Sequence, residues 1–130
     1  MTTRNLFWLR LSYWLGAFID LVAAIQMLVP SVFAATNNLP DFHPSIEYEY
    51  AMRMGASLML GWTLLLIWAA QKPIERKGVL GITVFPVIFG LILNEVIAVQ
   101  AQFIPITAMI PVWVLQAVLV LLFTFSYMNA

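Results

Sequence analysis

The stretch TAMIPVWVLQAVLVLLFTFSY, residues 107–127, decides the fold class of this 130-residue chain. It carries no charged side chain, and a helix needs about 20 predominantly apolar residues to cross the hydrocarbon core of a bilayer. Charge is absent from the whole of residues 96–130, which is too long for one crossing. Pro105 and Pro111 mark the expected break, so we predict that a membrane-spanning helix covers about residues 107–127.

Three further apolar stretches precede it, each bounded by charge or turn residues. The first stops near Pro30, the second ends at Lys72-Pro73, and the third is interrupted by Pro86, where a kink is tolerable. An alternative for the first stretch is a secretory signal cleaved after Ala34, but the apolar region is too long for one. We predict an all-α integral membrane four-helix bundle with up-down-up-down topology, built as a single domain over residues 1–130. The predicted helices cover about residues 6–33, 47–70, 79–102 and 107–127.

The composition indicates lipid as the solvent and excludes several kinds of site. Hydrophobic residues make up 63% of the chain and charged residues 9%, against about 25% charged residues in a soluble domain. The formal net charge is zero, so we expect no nucleic-acid partner. The sequence has no cysteine and one histidine, His43, which is too few ligands for a metal centre or a bis-histidine haem. We therefore assign no metal, no cofactor and no catalytic residue.

The basic residues orient the bundle, because Lys and Arg in short loops are retained on the cytoplasmic side of a membrane. Five of the six are expected on one side, either beside the first helix or in the loop between the second and third. We predict that both termini are cytoplasmic and that the membrane is the inner membrane of a prokaryotic cell. These five residues are Arg4, Arg10, Lys72, Arg76 and Lys77.

Three charged residues lie six or more residues from the nearest end of a predicted helix: Asp20, Arg53 and Glu95. A charge at the bilayer centre costs on the order of 3 kcal/mol, so such residues normally pair, face the bundle interior or line a wet cavity. At a rise of about 1.5 Å per residue, Asp20 lies about 21 Å and Glu95 about 24 Å from the cytoplasmic ends of their helices. Arg53 lies about 9 Å below the outer end of its helix. We predict that the three charges meet in the outer half of the bundle.

Other polar residues complete the predicted site. Glu49 precedes Arg53 by four residues, which is the spacing of a helical ion pair. Gln116 and Asn94 need hydrogen-bond partners in a medium that offers few. A structural ion-pair network that holds the helices in register, with no ligand, is the alternative. The predicted ligand-binding residues are Asp20, Arg53, Glu95, Gln116, Glu49, Tyr50 and Asn94.

Two segments of the first half, AAIQMLVP at residues 23–30 and AMRMGASLMLGW at residues 51–62, follow each other across a loop. Together with Glu49 at the opening of the second helix, they resemble the layout of small DoxX-like four-helix membrane proteins. Some members of that family accompany quinone-linked oxidoreductases, so the resemblance implies a helical bundle and a partner in a membrane complex. We assign no functional residue from it.

Three functions are open to such a chain. The leading one is a non-enzymatic protein that binds or translocates a small polar or cationic molecule, with Asp20 and Glu95 as acceptors. Because four short helices enclose little volume, and small residues such as Gly16 and Ala24 let helices approach closely, we expect a homo-oligomer. The second is an accessory subunit of a membrane oxidoreductase complex. The third is an intramembrane enzyme that uses its carboxyl groups for acid–base chemistry on a lipid-like substrate.

Overall fold

The computed structural model describes residues 3–130, and within this range the chain is helical with no strand. Four runs are long and apolar enough to cross a bilayer: Thr3–Leu28, Ile46–Gln71, Gly78–Gln100 and Ile106–Met128. These spans suggest a multi-pass membrane protein and confirm the all-helical class. The helices are α1 (Thr3–Leu28), α2 (Pro30–Thr36), α3 (Ile46–Gln71), α4 (Gly78–Ile82), α5 (Phe89–Gln100) and α6 (Ile106–Met128), with a wide helical turn over Thr83–Ile88 between α4 and α5.

The first apolar stretch is divided at Pro30, whereas the sequence predicted one helix over residues 6–33. Val29 is extended, with φ −119° and ψ 99°, and Pro30 is the first residue of α2. A residue before proline is pushed out of the helical region, while proline itself fits the first turn of a helix. The chain therefore leaves α1 at Leu28 and restarts as α2 in a new direction.

The third long run is bent at Pro86, as predicted. Phe85 is extended, with φ −136° and ψ 120°, and the Phe85–Pro86 peptide bond is cis. The bend is fastened to α3, because the Trp62 indole N–H donates to Thr83 Oγ1 at 3.0 Å. Thr83 in turn donates to the Val79 carbonyl at 2.7 Å. The bent run thus stays docked on the bundle although its backbone is interrupted.

The start of α3 is set by Ser45, whose side-chain oxygen accepts a hydrogen bond from the Tyr48 backbone N–H at 3.2 Å. Glu47 and Glu49 lie in the first turn, where acidic side chains complement the positive end of the helix dipole. The helix ends at Gln71, just before Lys72 and Pro73. This capping fixes the positions of Glu49 and Arg53 along α3.

The core lies along one face of α1, which packs against α3 and α6. Gly16 lets the three helices approach, since a Cβ atom there would lie 3.1 Å from the Phe123 ring and 3.2 Å from Leu66. Outside this core the surface is apolar, with Leu58 75% and Leu121 72% exposed. Apolar side chains on that scale are compatible with lipid around the bundle. The core residues are Leu9, Tyr13, Ala17, Leu66, Ala69, Ala70, Leu80, Ile88, Leu119 and Phe123.

Contacts distinguish two ends of the bundle. At the basic end, defined by Arg4, Arg10, Lys72, Arg76 and Lys77, the Tyr13 hydroxyl donates to the Arg76 carbonyl at 2.8 Å. Ser12 and Ser126 share a hydrogen bond of 2.8 Å close to the same end. At the aromatic end the side chains form a tight cluster with ring centroids 5.3–6.4 Å apart. This cluster comprises Phe33, Phe42, Tyr48 and Phe103.

Candidate functional site

A hydrogen bond between two polar side chains crosses the interior from α5 to α6. Gln116 Nε2 donates to Glu95 Oε1 at 2.7 Å. Gln116 is only 8% exposed and Glu95 is half-buried. The sequence predicted both as site residues, and the structure brings them together.

Trp113 lies close to this hydrogen bond and was not among the residues that the sequence predicted for the site. It lies three residues before Gln116 on α6, and its indole lies beside the Glu95 carboxylate. The Nε1 atom is buried without a hydrogen bond of good geometry. The three-residue spacing from Gln116 is the signal that places both side chains on one face of α6.

Asp20 occupies the centre of the buried face of α1. Gly16, Ala17 and Ala24, three or four residues away on the same face, are all buried. Asp20 itself is half-buried, and its Oδ2 atom is buried without a hydrogen-bond partner. Asp20 therefore lies on the packed face of α1 without being fully covered by the neighbouring helices.

The contacts between α1 and α6 set the height of Asp20. Ser12 meets Ser126, and one turn later Gly16 meets Phe123. Continued by another turn, this antiparallel register places Asp20 opposite Leu119, one turn of α6 from Gln116. Asp20, Glu95 and Gln116 therefore lie at similar depth on three helices, and we refer to them as the polar trio.

The polar trio has more acceptors than donors. Asp20 Oδ2, Glu95 Oε2 and Gln116 Oε1 are buried without a hydrogen-bond partner in the described part of the chain. Buried polar atoms are nearly always paired, and a carboxylate in an apolar medium needs a proton, a cation or water to compensate it. The trio is therefore chemically suited to a species that carries positive charge and donates hydrogen bonds.

Arg53 lies away from the trio, which corrects the expectation that the three charges meet. Gly16 packs against Leu66, and Met27 packs against Gly55, so both helices advance by eleven residues between the two contacts. Asp20 thus faces the level of residue 62 on α3, nine residues from Arg53, or about 14 Å along the axis. Over residues 3–130 the one ion pair is Lys72 with Glu75, so Asp20 and Arg53 are not paired.

Arg53 and Glu49 instead line a cavity at the aromatic end. They share it with Gln26, Phe42 and Tyr48, and its volume is about 40 Å³. The predicted ion pair between Glu49 and Arg53 does not form in the range that the structure describes. The two residues belong to a different site from the polar trio.

Two other predicted site residues face outward. Tyr50 is 63% exposed, and Asn94 is exposed although it adjoins Glu95 in sequence. Consecutive residues of a helix point about 100° apart, which explains why Glu95 faces α6 and Asn94 does not. His43 is exposed in the loop before α3.

No family model, curated protein or solved structure matches this chain. The resemblance of the first half to DoxX-like proteins therefore stays a prediction.

Proposed function

We propose that this chain binds a small cation at the polar trio and passes it through the membrane. The observation that carries the proposal is the set of three buried, unpartnered acceptor oxygens on Asp20, Glu95 and Gln116. Two of these side chains can carry negative charge, and no guanidinium or ammonium group lies within ion-pair distance of them in residues 3–130. A bound cation would supply the missing charge.

The chemistry favours a cation with N–H donors over one without. Gln116 Nε2 gives one of its two N–H groups to Glu95, so the trio keeps one N–H group for three free oxygens. Guanidinium stays charged at all accessible pH values and offers several N–H groups. Tetramethylammonium has the same charge and no N–H group. The proposed site therefore prefers guanidinium.

The position of the trio supports passage as well as binding. Asp20 lies eight residues before the end of α1, about 12 Å from the aromatic end of that helix.

We propose alternating crossings with both termini in the cytoplasm, in a prokaryotic inner membrane, because the five basic residues of the basic end follow the positive-inside rule. A homo-oligomer would enlarge the interior, and the Gly78–Gln100 run, the least buried of the four spans, is available for such packing.

Uptake of radiolabelled guanidinium into proteoliposomes tests the proposal. We expect saturable uptake by the wild-type chain and its loss in Asp20→Asn and Glu95→Gln, which keep the shape of the side chain and remove its charge. Asp41→Asn is the control, because Asp41 is exposed in the loop before α3. Wild-type uptake by both trio variants would refute the proposal, and so would equal uptake of tetramethylammonium.

A further inference from the structure

The cavity at the aromatic end contains opposite charges that do not neutralise each other. Glu49 and Arg53 both line it, and no ion pair joins them in the part of the chain that the structure describes. Gln26 adds a polar side chain from α1, and Phe42 and Tyr48 supply aromatic walls. A site with one free cation and one half-buried carboxylate matches a ligand that carries both charges.

Arg53 lies on the surface of the bundle that we expect to face lipid. The residues beside it on the surface of α3 are exposed, with Tyr50 63% and Met54 54% exposed. Arg53 itself is exposed and lies seven residues past the start of α3, about 10 Å along the axis. A guanidinium at this depth extends toward the interface, where lipid phosphates are the abundant anions. Arg binds phosphate through two parallel N–H donors.

We propose that this cavity binds a phosphate ester that carries a primary ammonium group, as in the headgroup of an aminophospholipid. Arg53 holds the phosphate on the lipid-facing side, and the Glu49 carboxylate accepts hydrogen bonds from the ammonium group inside. The rings of Phe42 and Tyr48 add a cation–π contribution to the same group. In this arrangement each of the two residues is matched by one half of the headgroup.

The hydrogen-bonding groups of the headgroup decide the preference. A primary ammonium group has three N–H donors for the Glu49 carboxylate, whereas a trimethylammonium group has none. The site therefore favours phosphatidylethanolamine over phosphatidylcholine, although both lipids carry the same phosphate.

Native mass spectrometry of the full chain, released from detergent in the presence of each lipid, tests the proposal. We expect phosphatidylethanolamine to be retained more than phosphatidylcholine by the wild-type chain. Arg53→Gln should lower retention of phosphatidylethanolamine by about tenfold or more, because hydrogen bonds to charged groups are the strong ones. Glu49→Gln should remove the preference for phosphatidylethanolamine and keep binding through the phosphate.

Arg53→Gln and Glu49→Gln each have a matched control variant. Arg10→Gln changes an exposed arginine at the basic end, and Glu47→Gln changes an exposed glutamate outside the cavity. Neither should alter lipid retention. Displacement of the lipid by an equal concentration of free phosphoethanolamine would support the headgroup chemistry and assign a soluble ligand, and resistance to displacement would support the lipid.

Two results would overturn the proposal. One is equal retention of phosphatidylethanolamine by the Arg53→Gln variant and the wild-type chain. The other is equal retention of phosphatidylethanolamine and phosphatidylcholine by the wild-type chain, since the cavity would then not distinguish a primary ammonium group from a trimethylammonium group. Because both residues lie outside the polar trio, guanidinium uptake serves as an independent check that these variants remain folded.

Discussion

The side-chain amide of Gln116 donates a hydrogen bond of 2.7 Å to Glu95 Oε1 and so joins α6 to α5 inside the bundle. This bond uses one of the two Glu95 oxygens and leaves the other, with Gln116 Oε1, buried and unpartnered. The Gln116–Glu95 pair is thus held in place and can still accept hydrogen bonds. That combination is the structural basis of the proposed cation site.

Removal of the amide should destabilise the fold. In Gln116→Leu the Glu95 carboxyl group loses this donor while staying half-buried, which we expect to cost about 1–3 kcal/mol of the free energy of unfolding. Gln100→Leu is the control, because Gln100 is exposed at the end of α5. Unfolding of both variants in detergent measures the difference. Equal stability of the two would mean that the Gln116–Glu95 bond does not hold the helices together.

A disulfide should form between positions 12 and 126. The two serine Oγ atoms lie 2.8 Å apart across α1 and α6, and the chain has no cysteine of its own. The double variant Ser12→Cys with Ser126→Cys should therefore cross-link on mild oxidation, since bridged cysteines need Cβ atoms about 4 Å apart. Mobility on a non-reducing gel reports the product.

The control for this cross-link pairs Ser57→Cys with Ser126→Cys. Ser57 is exposed on α3 and donates to the Arg53 carbonyl of its own helix, far from the basic end. Cross-linking of the control as readily as of the test pair would contradict the helix register that places Asp20 near Gln116.

The hydroxyl group of Tyr13 should stabilise the loop at the basic end. Tyr13 is fully buried and donates to the Arg76 carbonyl at 2.8 Å. Tyr13→Phe removes this bond, at an expected cost of about 1 kcal/mol. Tyr50→Phe is the matched control, because Tyr50 is exposed. Thermal unfolding in detergent compares the two, and a loss as large in Tyr50→Phe would argue against a specific role for the Tyr13 bond.

The helices could be predicted from the sequence because they depend on local properties. Charge-free runs of sufficient length indicate spans, and the restriction that Pro86 places on its neighbours indicates the kink. Gln116 and Glu95 could also be predicted, since amide and carboxyl groups in a long apolar run need partners wherever the run packs.

The separation of Arg53 from Asp20 could not be predicted, since it depends on how α1 and α3 slide past each other. Depths counted along single helices assumed that α1 and α3 begin at opposite edges of one hydrocarbon core, whereas the Gly16–Leu66 contact places residue 62, nine residues from Arg53, at the level of Asp20. The Met27–Gly55 contact then places Arg53 beside the break at Val29. The separation of the two charges thus follows from the packing register of α1 on α3.

The binding of guanidinium to the purified chain is the most direct test of the cation site. Isothermal titration calorimetry in detergent should show binding by the wild-type chain, weakened by about tenfold or more in Asp20→Asn and in Glu95→Gln, because each variant loses one charged acceptor. Arg53→Gln should bind guanidinium as the wild-type chain does. Undiminished affinity in both carboxyl variants, with the chain still folded, would contradict the account.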